Sequence, residues 1–142
     1  MASYDFTNGS IDGQMVPRKT TPEENTVFVR RNIVDFSKQN LASGDDAKAL
    51  DIEEGLIVRT VIARVITADS GGGTIAIGDS ASDTSWGSAT APSTEGAVLG
   101  GTVDYTYFDS DGGVYLTAGG TANLTTAKVE VLAECVKALD KI

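Results

Sequence analysis

LIVRTVIARVIT, residues 56–67, decides the fold class. Eight of its twelve residues are β-branched, which disfavours a helix and favours a pleated sheet. Alternation places Leu56, Val58, Ile62 and Ile66 on one face and Ile57, Val61, Ala63 and Val65 on the other. Only Arg59, Thr60 and Arg64 interrupt the apolar character, so the expectation is a central strand covered on both sides. Upstream, VFVRRNIVDF (27–36) reads as a first strand, with Phe28, Arg30, Asn32, Val34 and Phe36 sharing a face. A loop at 40–48, a short strand at 49–53 and a turn at Glu54-Gly55 then lead into the central strand.

Downstream, Gly71-Gly72-Gly73 turns the chain into a short strand, TIAIG (74–78), and residues 79–101 form a long Ser/Thr/Ala/Gly segment around Trp86. A loop of that length points to function or contact with a neighbour. TVDYTYF (102–108) alternates Val103, Tyr105 and Tyr107, and Asp109–Gly113 carries hairpin-turn chemistry. Short strands are expected at 114–117 and 122–125. The segment from Ala127 to Leu139 supports two periods. Val129, Val131, Ala133 and Cys135 alternate, while Val129, Leu132, Val136 and Leu139 make a helical stripe. No capping box precedes it, so a strand over 128–136 is the expectation. Seven or eight short strands with Gly-rich turns predict an all-β domain, a β-sandwich or jelly roll, over 27–142.

Residues 1–26 show neither strand nor helix periodicity and mix Gly9, Gly13, Pro17 and Pro22 with polar residues. They read as an extended N-terminal arm, about 85 Å long at full stretch. Tyr4, Phe6, Ile11, Met15 and Val16 are its candidate anchors on a partner, and Trp86 is the candidate anchor of the long loop. The arm is expected to be dispensable for folding.

Composition excludes much chemistry. The chain of 142 residues has 20 acidic and 11 basic side chains, a net charge of −9. Nucleic-acid binding is therefore not expected, because phosphate recognition runs on Lys and Arg. There is no histidine, which removes His-based triads, His-ligated metals and His pH switches. Cys135 is alone, so no internal disulfide forms and a buried, inert thiol is expected. No apolar run is long enough to span a bilayer and no secretory signal is expected, so neither a membrane nor export figures in the reading. Residues 67–127 contain no Lys or Arg but seven acids and 12 of the 16 glycines, which reads as solvated acidic loops.

The chemical motifs are weak. Asp109-x-Asp111-Gly112 resembles the start of a calcium loop, but EF-hand positions 6 and 12 fall on Val114 and Gly120. Gly71-Gly72-Gly73 is followed by no helix that could bind phosphate. Asp45-Asp46 and Glu53-Glu54 are carboxylate pairs that nothing in the sequence brings across a substrate. No cofactor, no metal and no catalytic residue are expected.

The string Ile33-Val34-Asp35-Phe36, Asn40-Leu41-Ala42, Ala47-Lys48-Ala49-Leu50, Glu54-Gly55-Leu56-Ile57-Val58, Ala63–Ala68 and Thr74–Asp79, closed by Lys128–Val131, resembles the head decoration (cement) proteins of tailed bacteriophages. The likeness is a rhythm of strands and turns over about residues 33–136. It implies a β-sandwich that binds the outside of an assembled capsid, commonly as a trimer, and ties neighbouring capsomers together. The partners implied are the major capsid protein and further copies of the chain. Two other classes stay open: a different virion part (tail or fibre) or host-surface carbohydrate binder, which needs Trp86, Tyr105, Tyr107 and Tyr115 clustered and exposed, and a carboxylate enzyme, which needs two facing acids in a pocket.

Overall fold

The computed structural model describes residues 2–7 and 27–138. Among them there is no helix. The strands are β1 (Ser3–Asp5), β2 (Phe28–Asp35), β3 (Asp46–Ile52), β4 (Leu56–Thr67), β5 (Gly73–Gly78), β6 (Gly87–Thr90), β7 (Val98–Gly100), β8 (Thr106–Tyr107), β9 (Gly112–Gly120) and β10 (Lys128–Lys137). They form two sheets, β1-β3-β9-β5-β6 and β2-β10-β4-β7, with β8 also on β4. The chain is an all-β sandwich, as the β-branched runs predict.

The core lies between the sheets. From the second sheet come Val34, Val58, Val61, Ala63, Val65, Val129, Val131, Ala133 and Cys135; from the first come Ala47, Leu50, Ile52, Ile75, Ile77, Val114, Leu116 and Ala118. The segment at 128–137 is a strand because β2 and β4 flank it on both sides, antiparallel. Its alternation then sends Val129, Val131, Ala133 and Cys135 inward and Lys128, Glu130, Leu132 and Glu134 outward.

The expected faces of β4 are corrected by a β-bulge. Thr60 opposes Glu134 while Val58 opposes Cys135, so Arg59 is the extra residue. The bulge shifts the phase: Leu56 and Val58 point inward before it, and Val61, Ala63 and Val65 after it. The strand is therefore covered by the core on one side only, and Ile57 and Ile62 remain half-buried on the other. A second bulge in β3, at Ala49, places Lys48 and Asp51 together on the outer face of the first sheet, where they pair at 2.8 Å.

The chain after β5 also departs from expectation. The segment 79–101 is no single loop, since it contains β6 and β7. Residues 97–108 run along the edge of β4, with Gly101, Asp104 and Phe108 N–H groups donating to the carbonyls of Val61, Arg59 and Leu56. Gly100 has φ 80° in this run, and a Cβ there would lie 2.8 Å from the Val61 carbonyl, so the close approach requires glycine. Asp109–Gly113 is not a hairpin turn: β8 belongs to the second sheet and β9 to the first, so the chain crosses between sheets there. β9 runs unbroken through Gly119-Gly120, and 122–125 holds only the isolated Leu41–Leu124 bridge.

The expected boundary after residue 26 does not separate the first residues from the sandwich. β1 pairs in parallel with β3, and Phe6 is fully buried, edge-on to Phe36 at 6.0 Å. The Asn32 amide, inward on β2, donates to the Phe6 and Ala49 carbonyls and stitches this segment between the sheets. Arg30, also inward, is buried against Glu53 and lies 5.1 Å over the Phe28 ring.

Candidate interaction face

Two of the expected anchors, Trp86 and Phe6, are buried within the chain itself. Trp86 is fully buried: its indole N–H donates to the Asp104 carbonyl at 2.9 Å, and its backbone N–H to Ile77. The large ring fills the space between β5 and the 97–108 edge segment, so it closes the core and is no surface anchor. Phe6 is likewise a core residue, and Tyr4 is half-buried and packed on the core. Ile11, Met15 and Val16 lie outside the described residues.

The exposed apolar side chains are elsewhere, and they gather on one sheet. Val27, Val29, Val98, Val103, Tyr105 and Tyr107 are 44–65% exposed. Val29 is on β2 and Val27 just precedes it; the other four belong to the segment along the edge of β4. Between these rims the outer surface of β2, β10 and β4 presents half-buried Ile33, Leu132, Val136, Ile57 and Ile62. Two shallow grooves mark it. One of about 300 Å³ is lined by Val27, Arg59, Tyr105, Glu134, Cys135 and Val136, and one of about 200 Å³ by Val29, Thr60, Ile62, Leu132 and Glu134.

Charges on this face are matched internally. Glu130, on the middle strand, bridges Arg31 of β2 and Arg64 of β4, each at 3.1 Å. Arg59, displaced outward by the bulge, holds Glu134 at 2.7 Å. Tyr105 and Glu134 together hold the Arg59 pKa above its ordinary value. The outer face of the first sheet is different: Lys48, Asp51, Thr74, Tyr115 and Thr117 make it polar. A groove of about 310 Å³ at its end is lined by Lys48, Asp51, Ile52, Glu53, Asp111 and Gly112.

The remaining titratable groups do structural work. Burial pushes the Cys135 thiol up to about 12, which keeps it protonated and unreactive at neutral pH. Asp69 is buried, which opposes its charge, yet backbone N–H groups of Thr126, Thr125 and Gly71 donate to it and hold its pKa below the ordinary value. Asp79 and Asp83 share a hydrogen bond in the turn after β5, which with burial raises Asp79 to about 6 while lowering Asp83. These are two facing acids, but neither lines the grooves described above. Among the described residues no group of three or more His, Cys, Asp or Glu is placed to hold a metal ion.

Alternation along 102–108 does single out Tyr105 and Tyr107. Val29 and Val98 carry no signal in the sequence, because their outward direction depends on strand pairing. The four rings that a sugar platform would need are scattered: Trp86 is in the core, Tyr115 is on the opposite sheet, and Tyr105 and Tyr107 alone share a face.

No family model matches the chain, and no curated protein matches it in sequence. In structure it is similar to a chain of the cyanophage Pam1 capsid asymmetric unit, with a TM-score of 0.59 and 20% identity over 85% of this chain and 93% of that one. At that identity the likeness is one of fold.

Proposed function

We propose that this chain is a structural protein of a phage virion that binds the outer surface of the capsid, as a homo-oligomer, and stabilises the shell by bridging neighbouring capsomers. The observation that carries this reading is the shared fold with a chain of a phage capsid asymmetric unit, spanning nearly the whole of both chains. Such a role needs no catalytic group, cofactor, metal, nucleic acid or membrane. It needs contacts that are individually weak and repeated by symmetry, so that avidity supplies the strength. The acidic segment 67–127 supports it, since an acidic outer surface keeps particles apart. The major capsid protein is the partner in this reading. Dispersal of the aromatic rings weighs against the carbohydrate-binding alternative.

The test is co-sedimentation of the purified chain with capsids that lack it, followed by heating of decorated and bare particles. Bound protein and a higher temperature for DNA release are expected. Absence of binding at micromolar concentration would overturn the reading, and binding without a shift in release would leave decoration but remove cementing.

A further inference from the structure

We infer that the outer face of the β2-β10-β4 sheet is the surface through which copies of this chain associate with one another. The inference rests on the homo-oligomeric part of the reading above and goes further, by assigning the face and the physical reason for it. All the exposed large hydrophobic side chains among the described residues line this sheet, whereas the opposite sheet is polar outside. A concentration of exposed apolar side chains on one face marks an interface. Its polar members include Arg31, Arg59, Arg64 and Tyr105, of residue types enriched at interfaces, with each arginine's charge matched by Glu130 or Glu134.

Charge selects the occupant. The chain carries −9, so two copies repel across most of their surfaces. On this face Arg31, Arg59 and Arg64 stand against Glu130 and Glu134, all in ion pairs, and Lys128 and Asp35 at one end add one charge of each sign. A face so nearly neutral has no excess charge with which to select a strongly acidic or basic partner. Against a second copy it meets an equally neutral face, so association here avoids the like-charge repulsion that the rest of the surface imposes. The area suffices. β2, β10 and β4, of eight, ten and twelve residues, with the 97–108 segment alongside β4 as a fourth row, at about 4.8 Å spacing and about 3.3 Å per residue, present on the order of 600 Å² per copy. A pair then buries about 1,200 Å², the lower end of the range for stable association.

The experiment is sedimentation equilibrium of the full chain, with no capsid present, at about 20 μM, where an association with a dissociation constant of about 1 μM is well populated. Wild type is compared with the double variant Val29→Glu/Val98→Glu, the single variant Val98→Glu and the control Ala89→Glu, which lies on exposed β6 of the other sheet. Circular dichroism checks that each is folded; Val98→Glu, at an edge strand, serves if the double variant does not fold. The expected result is a multiple of the monomer mass for wild type and control, and at least a tenfold weaker association for the face variants. A monomeric wild type, unchanged mass in folded face variants, or equal loss in the control would overturn the inference. Capsid co-sedimentation reads the other proposal separately: oligomers that bind no capsid leave this inference standing.

Discussion

Replacing Phe6 with alanine tests whether the first residues belong to the sandwich. The ring is fully buried and meets Phe36 at 6.0 Å with an interplanar angle of 72°. Removing a buried phenylalanine ring costs about 3–5 kcal/mol when the surroundings cannot collapse. Here the loss is capped, because β1 has only three residues and can detach, leaving Asn32 with the Ala49 carbonyl as its remaining acceptor. The edge-to-face contact, worth about 1 kcal/mol, and the ring's burial are lost in either case. The expected destabilisation is therefore about 3 kcal/mol. With a urea m-value of about 2 kcal/mol/M, the unfolding midpoint falls by about 1.5 M. Equilibrium urea unfolding, followed by circular dichroism, measures it. Tyr4→Ala, at a half-buried position, is expected to shift the midpoint by less than half as much. A Phe6→Ala midpoint within about 0.2 M of wild type would refute the reasoning and restore these residues to a dispensable arm.

Trp86 is the single tryptophan, so native emission is expected to be blue-shifted and to move red on unfolding; a solvated native spectrum would contradict its burial. Trp86→Phe loses the hydrogen bond to Asp104 and ring volume, and is expected to cost about 2 kcal/mol in the same urea assay. Asp69→Ala leaves three backbone N–H groups without their acceptor and is expected to cost about 3 kcal/mol at pH 7. Because folding lowers the Asp69 pKa, its contribution is present above the ordinary value and lost as pH falls through the folded one; unfolding on acidification should therefore lose part of its pH dependence in Asp69→Asn. Asp79 has the opposite sign. Its raised pKa makes the folded chain bind a proton the unfolded chain has released, so stability falls as pH rises from about 4 to 6, and Asp79→Asn should flatten that slope in thermal melts between those pH values.

The strand content was legible because β-branching and alternation are local properties. β4 begins and ends where the apolar run does, β2, β5 and β10 fall within a residue of their expected bounds, and the inward set on β10 is the one its alternation predicts. Strand pairing is not local. That β8 and β9 lie in opposite sheets follows from Leu56 and Leu116 facing one core from two sides, which no turn signal at Asp109–Gly113 encodes.

What the sequence alone determined is the class of the fold and the chemistry it excludes: β-branched runs, no histidine, one cysteine and a net charge of −9. What only the tertiary structure decided is which side of each strand meets the core. A bulge at Arg59 costs one unpaired residue, yet it reverses the phase of β4, turning Val61 inward and leaving Ile62 and Arg59 on the outside. Alternation tells which side chains share a face; only the partner sheet tells which face is dry. For the same reason Phe6 and Trp86, isolated large rings in polar sequence, could be read as anchors for a partner, when the apolar surface able to bury them was the sandwich of their own chain.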